Sequence, residues 1–131
     1  MPKCILIVDD HEHIRKLVRA FLESESGFED CGEAVDGYDA IEKARKLKPD
    51  LIVLDLCMPR MNGIETARRL KKILPLTPIV LFTLHKTALK VFDSRAVGID
   101  AIVSKDDGLS LLVVAIQSLL QRAEPSVAHP T

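Results

Sequence analysis

Apolar and polar positions along this chain form blocks of two kinds. Five short runs rich in Ile, Val and Leu stand between polar or turn residues, at 4–8, 31–35, 51–54, 79–82 and 101–103, the second being the weakest. Their length suits strands. Because they are mostly continuous rather than alternating, they predict a sheet covered on both faces. Between them, apolar residues recur at helical spacing. Ile14, Leu17, Val18, Phe21 and Leu22 share one face of a first helix, and Ile41, Ala44 and Leu47 mark a second. Ile64, Ala67, Leu70 and Leu74 mark a third, Leu89, Phe92 and Ala96 a fourth, and residues 109–120 a fifth. Gly27 closes the first helix, Pro49-Asp50 precedes the third run, and Pro75 and Pro78 separate the third helix from the fourth run. Strict strand–helix alternation with short connections requires right-handed crossovers and a parallel α/β sheet.

Composition narrows this picture. With 131 residues, 47% of them hydrophobic, the chain is one domain with its own core. Its 18 basic and 19 acidic residues leave neither a polybasic arm nor an acidic tail. Aromatic residues are 4% and Trp is absent, so no base-stacking surface and no direct nucleic-acid contact are expected. The longest apolar run, 111–116, is too short to span a bilayer, and the N-terminal apolar stretch is too short for a signal peptide. A soluble, cytoplasmic chain with no membrane partner is expected. The three cysteines have no zinc-site spacing with one another or with the four histidines, and reduced thiols are expected. After Arg122 the composition turns to that of a linker or frayed tail, which gives a domain at 1–123 and a tail or the start of a linker at 124–131.

In a parallel sheet of this kind, chemistry gathers at the carboxyl ends of the strands. The first run ends in Asp9-Asp10, the third in Asp55 and the fourth in Thr83, and the fifth reaches Lys105. Each has an ordinary explanation taken singly: a helix cap, a strand residue, a surface charge. Four on one rim point to a site. Three carboxylates packed together either raise a pKa or recruit a divalent cation, and their oxygen character favours Mg2+. A carboxylate nucleophile, a metal, a hydroxyl and a lysine are the parts needed to accept a phosphoryl group.

These residues, with the block Asp55-Leu56-Cys57-Met58-Pro59-Arg60-Met61-Asn62-Gly63, resemble the receiver domain of bacterial two-component response regulators over residues 3 to about 122. The resemblance implies a three-layer flavodoxin-like (βα)5 fold with a five-stranded parallel sheet in the order 2-1-3-4-5. Neighbouring strands about 5 Å apart then bring Asp9 and Asp10 up to Asp55. It implies Asp55 as the phosphoacceptor and Asp10 and Asp55 as Mg2+ ligands. Asp9 would act largely through water, and the backbone carbonyl of Cys57 would complete the set. Thr83 would be the switch hydroxyl and Lys105 the phosphoryl-pairing cation. It also implies a sensor histidine kinase as phosphodonor and a signalling rather than an enzymatic role, and it leaves open whether an output domain follows beyond Thr131.

The chain also departs from the family's pattern. Asp106 follows Lys105 where the family usually has Pro. A cis bond there would cost about 3 kcal/mol, so a trans bond is expected. Lys-Asp at this point resembles the subfamily with helix-turn-helix output. Ile102 stands where many members carry Tyr or Phe, and Leu84, followed by His85, where a small residue is favoured after Thr83. Two alternatives stay open. An aspartate-nucleophile phosphatase would need a second carboxylate where Cys57 stands. A receiver-like docking module that is never phosphorylated is kept open by Leu84 and Ile102. On the last helix, Leu109, Leu112, Val113, Ile116, Leu119 and Leu120 form a core stripe, whereas Leu111 and Val114 fall among polar residues. That pair suggests a homodimer through this helix.

Overall fold

The computed structural model describes residues 2–25, 27–84 and 97–123. Strands β1 (Lys3–Val8), β2 (Phe28–Ala34), β3 (Leu51–Leu54), β4 (Ile79–Thr83) and β5 (Ala101–Ser104) pair in parallel in the order β2-β1-β3-β4-β5. Helices α1 (Glu12–Glu23) and α4 (Leu109–Ala123) cover one face, and α2 (Gly37–Leu47) and α3 (Gly63–Ile73) the other. The fourth helix expected from the sequence lies outside the described residues, so the fifth is α4 here.

Continuous apolar runs feed two cores because successive strand side chains point to opposite faces. Leu6 and Val8 of β1, Ile52 and Leu54 of β3 and Leu81 of β4 pack against Ala40, Ala44, Ala67 and Leu70 of α2 and α3. The alternate residues Ile5, Ile7, Leu51, Val53 and Val80 pack against Val18, Leu22, Leu112 and Ile116 of α1 and α4. Each fully buried aliphatic side chain contributes about 1.5–3 kcal/mol. Two helices start at side-chain caps: Asp36 accepts from the Asp39 N–H at 2.8 Å and Asn62 from the Glu65 N–H at 2.9 Å.

Some expectations need correction. β2 begins at Phe28, ahead of the apolar run, because an edge strand is held by backbone pairing to β1 and need not be apolar on both faces. Leu17 is 53% exposed: α1 buries a narrow stripe through Val18 and Leu22, and Leu17 falls at its edge. Cys4 is disulfide-bonded rather than reduced, whereas Cys57 is free and exposed. Among the described residues there is no cis peptide bond, so Lys105–Asp106 is trans as expected. No helix among them is long and apolar enough to cross a membrane.

Candidate functional site

The pairing of Val8 with Leu54 sets Asp9 and Asp55 side by side just beyond the ends of β1 and β3. Their backbones are tied into the sheet: the Asp55 N–H donates to the Val8 carbonyl at 3.0 Å and the Asp9 N–H to the Ala34 carbonyl at 3.1 Å. Both residues are only 3% exposed. Carboxylate oxygens of Asp9, Asp10 and Asp55 and a ring nitrogen of His11 lie within 4.8 Å of one another. None of these acids is a helix cap, since α1 is capped at His11 without a side-chain bond and α3 at Asn62. Lys105 follows β5 in a single 3-10 turn, Lys105–Asp107, and its Nζ lies 2.7 Å from Asp9 Oδ2 and 3.6 Å from Asp55 Oδ1. Thr83 is wholly buried at the end of β4, the strand between β3 and β5. Cys57 follows Asp55 by two residues, its side chain exposed.

Local sequence explains how Asp55 is held. The Gly63 N–H donates to the Leu56 carbonyl at 2.7 Å, and a Cβ on Gly63 would overlap the carbonyl oxygen of Asp55. Only glycine lets α3 start this close to the strand end. Between them Arg60 adopts φ 70°, a left-handed backbone that costs a non-glycine residue about 1 kcal/mol. Its guanidinium lies 3.2 Å from Asp36 Oδ2, clipping the loop after Asp55 to the buried cap of α2.

Two neighbours were not singled out from the sequence. His11 donates its backbone N–H to Asp9 Oδ1 at 2.9 Å, and its Nδ1 lies 3.1 Å from that oxygen and 3.2 Å from Asp10 Oδ1. Arg15 donates to the Asp9 carbonyl at 2.8 Å and, through Nε, to Glu33 on β2 at 3.0 Å. Asp9 is thus fixed at both carboxylate oxygens and at its carbonyl. Helical side chains point back toward the helix N-terminus, so an arginine in the first turns of a helix that follows two aspartates was the available signal.

Burial pushes the Asp55 carboxyl above its ordinary value, the Asp9 charge adds to this, and Lys105 and the Leu56 N–H oppose it. Partial desolvation, then the charges of Asp55 and Asp10, push the Cys57 thiol up. One lysine shared between two buried carboxylates, with a third acid alongside, leaves the pocket short of positive charge. A crowded set of hard carboxylate oxygens fits a divalent cation, and Mg2+ suits such a set when phosphate is the other ligand.

The family model for the response regulator receiver domain matches residues 5–117. The chain belongs to this family. The response regulator protein VraR of Staphylococcus saprophyticus is 38% identical over 117 residues, covering 89% of this chain and 56% of the relative. VraR of Staphylococcus epidermidis is 36% identical over 113 residues, covering 86% and 54%. The receiver domain thus spans about half the length of these curated relatives. A LuxR-family two-component response regulator from an Aurantimonas species superposes with TM-score 0.84 at 31% identity, covering 92% of this chain and 86% of that one. A CheY-like receiver domain protein from Methanospirillum hungatei superposes with TM-score 0.85 at 26% identity, covering 95% and 98%. The receiver fold, the flavodoxin-like sheet order and the role in two-component signalling follow.

The departures from the family's pattern also have structural positions. The Asp106 N–H donates to Ser104 Oγ at 3.1 Å, so a polar cap orders the turn after Lys105 where a proline would otherwise stiffen it. Ile102 packs, partly buried, against the core beneath α2 and α3. Leu84, directly after the buried Thr83, is 58% exposed.

Proposed function

We propose that this receiver domain accepts a phosphoryl group on Asp55 from a sensor histidine kinase and relays it as a change in a protein-interaction surface. The observation that carries the reading is the buried Asp55 carboxylate, 3.6 Å from Lys105 Nζ and crowded by Asp9 and Asp10. In the transfer an Asp55 carboxylate oxygen forms the new P–O bond as the donor's P–N bond breaks, the imidazole nitrogen keeping the electron pair. Lys105 pairs with the phosphoryl oxygens and the Thr83 hydroxyl donates to one of them. Asp10, Asp55 and the Cys57 carbonyl, with Asp9 acting through water, would hold Mg2+, which when bound offsets the charge of those oxygens. Cys57 stands where a phosphatase would need its acid, and a thiol pushed up in pKa is a poor proton donor. Uptake and hydrolysis of one phosphoryl group, not turnover of a substrate, is therefore the activity proposed.

The domain reads as 1–123, with 124–131 beginning a linker toward an output domain of the helix-turn-helix kind, in a cytoplasmic protein. The greater length of the relatives and the Lys105-Asp106 pair support this. Treatment with a small acyl phosphate and Mg2+ should add one phosphate by mass spectrometry to wild type and none to Asp55→Ala. An equal adduct on the variant sinks the assignment.

We further propose homodimerisation through α4, whose Leu111 and Val114 are 45% and 57% exposed while Leu112, Val113 and Ile116 are buried. Exposed Leu17 on α1 lies on the same side of the sheet and could extend the patch. Sedimentation of wild type against Leu111→Glu/Val114→Glu, with and without a phosphoryl analogue, should show a dimer that only the variant loses. A monomer in all four samples removes the proposal.

A further inference from the structure

A groove lies on the outer faces of α2 and α3, lined by none of the residues of the acidic pocket. It holds two adjoining clefts that share Tyr38, Ile41 and Arg45: one of about 460 Å3 lined by α2 alone, and one of about 360 Å3 lined by α2 and α3 together. The floor is apolar: Ile41 and Ile73 are half-buried, and Tyr38 is 54% exposed. The rims are cationic, with Arg45 and Lys46 on the α2 side and Arg69 and Lys72 on the α3 side, all exposed. Among the lining residues only Glu42 is acidic. Arg69 already has two neighbours, Glu65 at 3.0 Å and the Tyr38 ring centroid at 5.9 Å. Among the described residues, Arg45, Lys46 and Lys72 have no ion-pair partner.

Helix dipoles explain part of this, because cations in the last turns of α2 and α3 complement the carbonyl ends. The dipole does not explain an exposed tyrosine in the first turn of α2, a cation over its ring, or an apolar floor between two cationic rims. Apolar ground bordered by polar residues is the usual form of a docking groove.

We propose that the α2–α3 groove docks an acidic amphipathic helix of a partner protein. The partner's apolar stripe would lie on Ile41, Ile73 and Tyr38, and its carboxylates would reach Arg45 and Lys46 on one side and Arg69 and Lys72 on the other. The two helices are 11 residues each, so the groove runs for about 16 Å, three turns of a helical partner. Nucleic acid fits less well, since its phosphates need cations where this floor offers Ile41 and Ile73.

The test is selection from a displayed library of helix-forming peptides on the 131-residue chain. Enriched peptides are then titrated by fluorescence anisotropy against wild type, Arg45→Glu/Lys72→Glu and the milder Arg45→Gln/Lys72→Gln. Enriched peptides should be net acidic with apolar residues at helical spacing. The charge reversal should weaken them about tenfold or more and the neutral pair by less, with urea midpoints unchanged. Selection without acidic enrichment, or equal affinity for wild type and both variants, overturns the proposal. So does a short DNA duplex that binds more tightly than the peptides and depends on the same cations.

Discussion

The two rims of the sheet use aspartate for opposite ends. At the amino rim, Asp50 precedes β3 and Asp100 precedes β5, and each makes the same pair of bonds to the neighbouring strand. Asp50 accepts the Cys4 N–H at 2.8 Å and returns its own N–H to the Cys4 carbonyl at 2.8 Å. Asp100 accepts the Ile79 N–H at 2.9 Å, returns its N–H to the Ile79 carbonyl at 2.9 Å, and holds Lys71 at 3.0 Å. These carboxylates stand apart, each satisfied by the backbone it clamps, and they set strand register. At the carboxyl rim three acids crowd within 4.8 Å around one shared lysine, and burial raises Asp55 rather than stabilising its charge. A carboxylate placed for stability is dispersed and bonded, whereas one placed for chemistry is concentrated and left short of cations.

Exchanging the two roles gives the largest expected effects. Asp55→Asn should abolish phosphoryl uptake, and Lys105→Ala should slow it by roughly 10²–10³, the scale for removing one charge-stabilising donor. Asp50→Ala and Asp100→Ala should keep uptake but lose about 1–3 kcal/mol each in urea unfolding, as backbone N–H groups lose their acceptors. Asp100 should cost more, because Lys71 loses its partner as well. If Asp100→Ala stopped uptake with its urea midpoint intact, the division between rims would fail.

The carboxyl rim was far more legible in sequence than its surroundings. Asp9, Asp10, Asp55, Thr83 and Lys105 each follow a run of aliphatic residues, so strand periodicity alone carries them to one edge. What stayed hidden depends on which elements meet. Arg15 matters because α1 turns its side chain back over the Asp9 carbonyl, and Arg60 because its loop passes the cap of α2. The start of β2 was missed since pairing, not hydrophobicity, holds Phe28, Glu29 and Asp30 in the edge strand. The exposure of Leu17 is set by how narrow a stripe α1 buries, and periodicity reports only that a stripe exists.

A smaller effect sharpens the contrast through pH. Asp55 titrates higher in the folded chain than its ordinary value of 3.8, so the folded state binds its proton more readily than the unfolded state does. The ionised carboxylate therefore costs stability fully at pH above the folded value, and the cost is relieved as pH falls through it. In chelator, Asp55→Asn should be more stable than wild type at neutral pH. That advantage should shrink on acidification and vanish below the ordinary carboxylate range. Urea midpoints of both proteins across acid and neutral pH measure it. A constant difference would mean that the gain comes from packing.

The smallest effect concerns access to the crowded rim. Leu84 is joined directly to Thr83, which is wholly buried at the end of β4, yet 58% of Leu84 is exposed. Its place directly after β4 sets Leu84 on the carboxyl rim that also carries Asp55, and Leu84→Ala tests whether its side chain screens the approach of a phosphodonor or a hydrolytic water. No polar group is lost on truncation and little core is opened, so stability should change by less than about 1 kcal/mol. The remaining effect is steric and bears on alignment of donor and nucleophile, for which misplacement is expensive. Leu84→Ala should therefore speed both phosphoryl uptake from a small acyl phosphate and later loss of the phosphoryl group, each by a few-fold. Uptake is read by mass spectrometry over time, and loss by the same measurement after the donor is removed. Equal acceleration of both steps locates Leu84 over the shared approach to Asp55. Acceleration of uptake alone would mean that it screens the donor and leaves the water path open. Unchanged rates in both directions would mean that the side chain points away from the pocket, leaving Asp55 governed by the charges around it.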